Sequence, residues 1–268
     1  MREIRISDVT MRRAIGMKEM SLSFKEKLEI ARSLDRLKAD TIELAPIGGS
    51  KAEELSNSTI ASMVNSRISA CVNIADGDIE KTWDSIRVAR KPKLNLLVPV
   101  SPVQMEYICH KKPAQMIELI KTLTAHCASL CADVEFAAVD ATRAEKEYLF
   151  EAVRAAVESG AKTVTLCDTA GALLPTEFAQ LIKELYEAVP EVKDITLGVE
   201  CSDELDMANA CIFSCIAEGA LEIKTAVGCD TMADLEKVMK ALQVKGHTLG
   251  TSYDVNSMAI NHSAICTA

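Results

Sequence analysis

The chain alternates two hydrophobic periods along its length. Short runs rich in Ile, Val, Leu and Thr recur at 3–8, 41–47, 68–74, 94–100, 134–140, 163–169, 195–201 and 221–227. They read EIRISD, TIELAPI, ISACVNI, LNLLVPV, VEFAAVD, TVTLCDT, ITLGVEC and LEIKTAV, the composition of buried parallel strands. Between them lie longer segments with helical spacing. The first, 24–38, places Phe24, Leu28, Ala31, Leu34 and Leu37 on one face, and Ser23 with Glu26 forms a capping box at its start. Thr142 with Glu145 is expected to do the same before a helix at about 144–159, which Gly160 stops. Pro113 opens a helix at about 114–131 and Pro175 precedes one at about 177–188; the others fall near 52–65, 77–89, 206–218 and 231–242.

Eight strands alternating with eight helices predict an α/β fold, a closed (β/α)8 TIM barrel, because parallel strands need crossover connections and the helices supply them. The competitor is an open doubly wound sheet, which announces its ligand site with a glycine-rich first turn. Here the first strand runs into DVTMRRAIG, with no such turn. The expected division is a barrel over 1–245 and a Ser/Asn-rich C-terminal extension over 246–268, with no regulatory domain. The extension is expected to pack as a short addition or to mediate a contact.

Composition narrows the partners. The 268 residues carry a net charge of −9, and no basic stripe marks a surface for nucleic acid or an anionic membrane. Aromatics make up 4%, too few for a base-stacking platform, and no apolar run approaches the roughly 20 residues of a membrane span. Ten cysteines, among them Cys71, Cys127, Cys131, Cys167, Cys211 and Cys215, sit mostly inside apolar runs. With no signal peptide in view, this usage fits a reducing cytoplasm, and without a C-x-x-C pair no structural zinc knot is expected.

In such barrels the strand C-terminal ends and the loops after them build the site. The polar residues there are Asp8, Thr10, Arg12 and Arg13; Glu43; Asn73; Asn95 and Ser101; Glu135 and Asp140; Asp168 and Thr169; Glu200 and Ser202; and Lys224 and Thr225. Two adjacent arginines suit a small carboxylic acid, since guanidinium presents a planar fork of donors. Alternatively these charges pair with one another and stiffen the rim. None of His110, His126, His247 and His262 falls at a strand end, so an imidazole-held metal is not expected. Glu43, Asp140, Asp168 and Glu200 leave oxygen ligation of Mg2+ or Mn2+ open. Cys229, in the loop after the eighth strand, is either a reactive thiol or an inert one.

The segments ISDVTMRR, TIELAPI, VPVSPVQMEY, VEFAAVDATRAEKEYL, VTLCDTAGALLPTEFAQLI and LGVECSDELDMANA, in this order over about 1–245, resemble the catalytic barrel of 2-isopropylmalate synthase. Homocitrate synthase and 3-hydroxy-3-methylglutaryl-CoA lyase belong to the same DRE-TIM metallolyase group. The resemblance implies a divalent metal that polarises an α-keto acid for condensation with the enolate of acetyl-CoA, or the reverse cleavage. It implies that an acidic residue directly after the first-strand Arg, a His-x-His pair on the seventh strand and a downstream Asn surround the metal. It also implies a Thr on the sixth strand for the keto acid carboxylate, and the first-strand Arg for the enolate oxygen.

Arg12, Glu43, Asp140, Asp168 and Thr169 keep that pattern. Arg13 stands at the metal carboxylate position, Glu200 and Ser202 at the His-x-His positions, and Met232 near the downstream Asn; Asn95 replaces a His and Val139 a Glu. These replacements predict an Arg13–Glu200 ion pair where the metal would sit. The expected catalytic residues are Arg12, Glu43 and Asp140, with Cys229 as a further candidate acid or base. Arg12, Arg13, Ser101, Thr169 and Glu200 are expected to bind substrate. No metal or other cofactor is expected, with Mg2+ or Mn2+ left open. The implied partners are a small α-keto or hydroxy acid, an acyl-CoA, and a second copy in a homodimer. The alternative is a non-catalytic paralogue that binds a small carboxylic acid or regulates a partner synthase subunit.

Overall fold

The computed structural model describes residues 1–14, 22–48, 50–75 and 77–253. His262 and the greater part of the expected extension, 254–268, lie outside the described residues.

Eight parallel strands close into a barrel: β1 (Arg5–Asp8), β2 (Thr41–Leu44), β3 (Arg67–Asn73), β4 (Pro92–Pro99), β5 (Val134–Val139), β6 (Thr163–Asp168), β7 (Thr196–Cys201) and β8 (Glu222–Thr225). Closure is explicit in the register of β1 on β8, where Arg5 faces Glu222 and Asp8 faces Thr225, and this excludes the open sheet. The eight crossover helices are α1 (Phe24–Leu37), α2 (Lys51–Met63), α3 (Ile79–Ile86), α4 (Pro113–Leu130), α5 (Lys146–Glu158), α6 (Pro175–Ala188), α7 (Ala208–Ala217) and α8 (Leu235–Lys245). No helix among the described residues is long and apolar enough to cross a membrane.

Alternation along each strand separates two environments. In one register Ile6, Ile42, Leu44, Ile68, Leu94, Leu96, Phe136, Val164, Leu197, Val199 and Ile223 are buried and join one hydrophobic cluster with helix residues such as Leu34, Ile60, Ile86, Ile120, Val153 and Ile182. Burying each such side chain contributes about 1.5–3 kcal/mol, so this outer shell carries the fold. The other register holds Ser7, Glu43, Ser69, Lys93, Asn95, Glu135, Thr165, Glu222 and Lys224, also buried. Lys93 on β4 touches Glu222 on β8, and Lys224 touches Glu43 on β2 and Glu135 on β5. None of these strand pairs is adjacent, so the side chains meet across the lumen. The barrel interior is therefore polar and charged. Gly198 on β7 belongs to this register, and a Cβ there would stand 2.6 Å from Thr165 Oγ1. Its absence lets Thr165 donate to Glu135 Oε1 at 2.7 Å.

Three local expectations are corrected. Ser23 and Glu26 do form the capping box of α1, but Phe24 is 48% exposed and does not share the buried face. Thr142 does not cap α5: Ala141–Arg143 is a short 3-10 turn, Glu145 takes the N-cap position, and Thr142 Oγ1 donates to Asp168 Oδ1 at 2.6 Å. A helical segment that the hydrophobic periods did not reveal follows β4, as one turn at Pro102–Gln104 continuing into a π-type turn at Met105–Cys109. Beyond α8, Thr251–Ser252 pairs in parallel with Arg2–Glu3, tying the start of the expected extension to the N-terminal strand.

Candidate functional site

The mouth is organised around the turn that follows β1. Asp8 accepts from Thr10 N and Thr10 Oγ1, both at 3.0 Å, and Thr10 Oγ1 in turn accepts from Val227 N at 2.9 Å. These bonds fasten the Thr10–Ala14 helical turn, which carries Arg12 and Arg13, to the loop after β8. Burial pushes the Asp8 carboxyl up to about 7, with the Glu43 charge adding to the shift and the Thr10 hydrogen bonds opposing it.

From that turn a single file of alternating charges descends the barrel axis. Arg13 Nη2 lies 2.8 Å from Glu200 Oε1, and Arg12 Nη2 lies 2.5 Å from Glu200 Oε2. Arg12 Nε pairs with Glu43 Oε1, and Glu43 Oε2 pairs with Lys224 Nζ. Lys224 continues to Glu135 Oε1 at 2.6 Å, Glu135 Oε2 to Lys93 at 3.0 Å, and Lys93 to Glu222 at 3.0 Å. Side-chain exposure falls from 27% at Arg13 to 1% at Lys93 and Glu222. Each carboxylate from Glu200 to Glu135 bridges two cations through different oxygens, which offsets the cost of burying them. Burial alone would raise the Glu200 carboxyl, but the Arg12, Arg13 and Lys224 charges hold it below its ordinary value. Burial likewise works against the charged forms of Glu135 and Lys224. Lys224 and Lys93 nonetheless hold Glu135 low, and Glu135 and Glu43 hold Lys224 well above its usual range.

Above this file opens a cavity of about 500 Å³. Its lining includes the polar Arg12, Arg13, Glu200, Thr169 and Asn73 and the apolar Ile74, Ala75, Leu97, Pro99, Val139 and Ile108. Arg13 Nε has no hydrogen-bond partner among the described residues. Thr169 Oγ1 accepts from Asp140 N at 2.9 Å, which leaves its own proton to give. Cys167 also lines the cavity, but burial and then the Glu200 charge push its thiol well up, so it is a poor nucleophile there.

Of the expected site residues, Arg12, Arg13, Thr169 and Glu200 line the cavity, and Glu43 lies directly beneath them. Arg12 is less free than expected, with Nε and Nη2 both held by carboxylates. Asp140 and Ser101 are not brought to the cavity. Asp140, in the left-handed backbone region at φ 62°, accepts from Arg143 Nε and Nη2 at 2.7 and 2.8 Å. Ser101 caps the turn after β4, its hydroxyl accepting from Gln104 N at 3.3 Å. Cys229 packs in a small cluster with Val9, Ala226 and Met232, its sulfur 3.2 Å from Thr231 Oγ1. Lys93 and Glu222 were not anticipated at all, although charged residues on the inner register of PKLNLL and EIKT beside apolar ones carried the signal. The Gln104 and Ile108 contributions escaped because their segment did.

Positions 13, 200 and 202, implied as metal-holding by the resemblance, do converge: Arg13 Nη2 is 2.8 Å from Glu200 Oε1 and 3.4 Å from Ser202 Oγ. Met232 forms a bridge with Ser202 and is buried in apolar surroundings. A divalent ion at this point would meet two guanidinium groups and a carboxylate with both oxygens taken. This residue set does not fit such an ion.

The family model described as HMGL-like matches residues 3–266. The 2-isopropylmalate synthase of Aquifex aeolicus is 31% identical over 264 residues, which cover 96% of this chain and 51% of that protein. That of Caulobacter vibrioides is 32% identical over 256 residues, covering 93% and 49%. The chain thus spans about half the length of these curated relatives. Among solved structures, an HMG-CoA lyase of Bacillus subtilis superposes with a TM-score of 0.79 at 14% identity, covering 98% of this chain and 92% of that one. An HMG-CoA lyase of Acinetobacter baumannii, in complex with coenzyme A and 3-methylmalate, gives 0.76 at 12% identity, covering 96% and 88%.

Proposed function

The chain belongs to the HMGL-like family, and from that premise we propose that its mouth binds a small α-keto or hydroxy acid with an aliphatic tail, without the divalent metal that the sequence resemblance implies. The observation that carries this reading is the guanidinium of Arg13, which lines the cavity at the end of the axial charge file and shares its carboxylate partner, Glu200, with Arg12. A ligand carboxylate there continues the alternation of sign. Thr169 Oγ1 donates a second hydrogen bond, and the tail lies on Ile74, Leu97 and Val139. Arginine suits the role because its charge does not depend on pH in the working range and its donors match a carboxylate in plane.

A second reading is favoured by the 31–32% identity to 2-isopropylmalate synthases over nearly the whole chain. In it the bound acid exchanges a C–C bond with an acyl-CoA. Arg12 and Arg13 would hold and orient the oxygens of the acid. Among the described residues no cavity carboxylate is left free as a proton acceptor, since Glu200 has both oxygens on arginines. The binding reading therefore stands first.

Calorimetric titration with pyruvate, 2-oxoisovalerate and 2-hydroxyisovalerate, in EDTA and then with Mg2+ or Mn2+, tests the proposal. Binding in EDTA that strengthens with the aliphatic tail, and falls at least tenfold in Arg13→Ala, is expected. Binding only with metal would overturn it. Release of free CoA from acetyl-CoA in the presence of any of these acids would promote the second reading.

A further inference from the structure

We propose that Lys224, which lies too deep to touch a ligand in the mouth, is the positioning residue that sets the geometry of Arg12 and Arg13. Its ammonium is fully buried on β8 and sits between Glu43 on β2 and Glu135 on β5. Glu43 is fixed by Lys224 and by Asn95 Nδ2 at 3.0 Å through one oxygen, and it fixes Arg12 through the other. Arg12 in turn holds Glu200, and Glu200 holds Arg13. Four consecutive charged contacts therefore connect a lysine inside the barrel to the cation that faces the cavity. The polar lumen gives this coupling few alternative routes: Lys93 is engaged with Glu135 and Glu222, and Asn95 brings no charge.

Removing the Lys224 charge leaves Glu43 and Glu135 facing the same space with one cation fewer between them. Glu43 keeps Arg12 and Glu135 keeps Lys93, but the two carboxylates now repel each other across the vacated space, and Glu43 is expected to turn away from it. A rotated Glu43 releases Arg12 Nε, and the arginine pair at the mouth loses its fixed orientation. Removing one negative charge at the same time restores the balance, because Glu135→Gln removes the repulsion and leaves Glu43 in place against Arg12. A lysine that merely fills space makes a different prediction: the similarly sized methionine is tolerated, or it fails whether or not Glu135 is changed.

The decisive measurement does not require a ligand, so it stands apart from the function proposed above, although its functional meaning rests on that reading. The Nε–Hε resonances of Arg12 and Arg13 are assigned by 15N NMR with Arg12→Lys and Arg13→Lys. In the wild type the Arg12 Nε proton, buried in a close ion pair with Glu43, is expected to exchange slowly with water. In Lys224→Met its signal is expected to disappear or broaden, and in Lys224→Met/Glu135→Gln to return. A signal unchanged in Lys224→Met, a signal lost equally in both variants, or a wild-type Arg12 proton in fast exchange each overturns the proposal. If Lys224→Met does not fold, Glu135→Gln alone decides: the Arg12 signal is expected to persist, and its loss overturns the proposal. Affinity for 2-oxoisovalerate then reads the consequence, with a fall of at least tenfold in Lys224→Met and recovery in the double variant. If the wild type does not bind that acid, the binding reading fails while the NMR result still stands or falls by itself.

Discussion

Arg13 Nη2 and Glu200 Oε1 stand 2.8 Å apart on β1 and β7 ends that are distant in sequence, and the other oxygen of Glu200 is held by Arg12. One carboxylate thus bridges two guanidinium groups in a setting where Glu200 is only 7% exposed. Glu200→Gln leaves both arginines without that counter-charge, and breaking a buried pair from one side is costly. It is expected to lower stability by about 3 kcal/mol, read as a shift of the urea midpoint at constant slope. A loss within about 0.5 kcal/mol would show that solvent already screens the pair.

The apolar wall carries its own prediction. Leu97 lines the cavity from β4. Leu97→Ala removes surface on which an aliphatic tail would pack, while the carboxylate contacts are untouched. Affinity for 2-oxoisovalerate is expected to fall by about tenfold while that for pyruvate stays nearly constant, since a few methyl-sized contacts are worth about 1–3 kcal/mol. An equal loss for both acids in calorimetry would place the tail elsewhere.

Much of this was legible before any coordinates. The outer register of the barrel strands is apolar up to the strand ends because it must pack under helices, so Ile6, Ile42, Leu94 and Val164 announced both the strands and their period. The pairing of Arg13 with Glu200 followed from opposite charges replacing positions that the resemblance brought together. What escaped was what depends on reach rather than on period. Lys93 and Glu222 meet across the lumen from non-adjacent strands. Asp140 is turned onto Arg143 by a left-handed backbone that no pattern of hydrophobicity encodes. Ser101 was placed at a strand end correctly, but its hydroxyl serves the following turn.

Asp8 makes stability depend on pH in an unusual direction. Its carboxyl is raised from 3.8 to about 7 in the folded chain. Between those values the folded state binds a proton that the unfolded state has released. Stability contributed by the protonated group is therefore complete at low pH and declines as pH rises toward 7, by about 1.4 kcal/mol per unit. Glu135 and Glu200, held low, act oppositely and lose their contribution only as pH falls below the ordinary carboxylate range. Asp8→Asn is expected to flatten the stability profile between pH 5 and 7 in urea unfolding. A slope identical to wild type would remove Asp8 as its source.

Gly171 tests how tightly the β6 and β7 ends are locked around the mouth. It sits in the left-handed region at φ 59°, where a side chain costs about 1–2 kcal/mol. A Cβ there would also stand 2.8 Å from Ser202 O and 2.9 Å from Glu204 N, backbone atoms that cannot swing aside as a flexible side chain can. Ser202 N and Gly171 N both donate to Asp168 O, at 3.1 and 3.2 Å, so the two loops share one acceptor and move together. Gly171→Ala therefore combines backbone strain with displacement of the segment that follows Glu200 and of the loop that begins at Thr169. Stability is expected to fall by about 2 kcal/mol or more, with a parallel loss of affinity for the small acid. The affinity loss separates this from strain alone: a variant that is destabilised but binds 2-oxoisovalerate with wild-type affinity would mean that the loop contact does not transmit to Thr169 and Arg13.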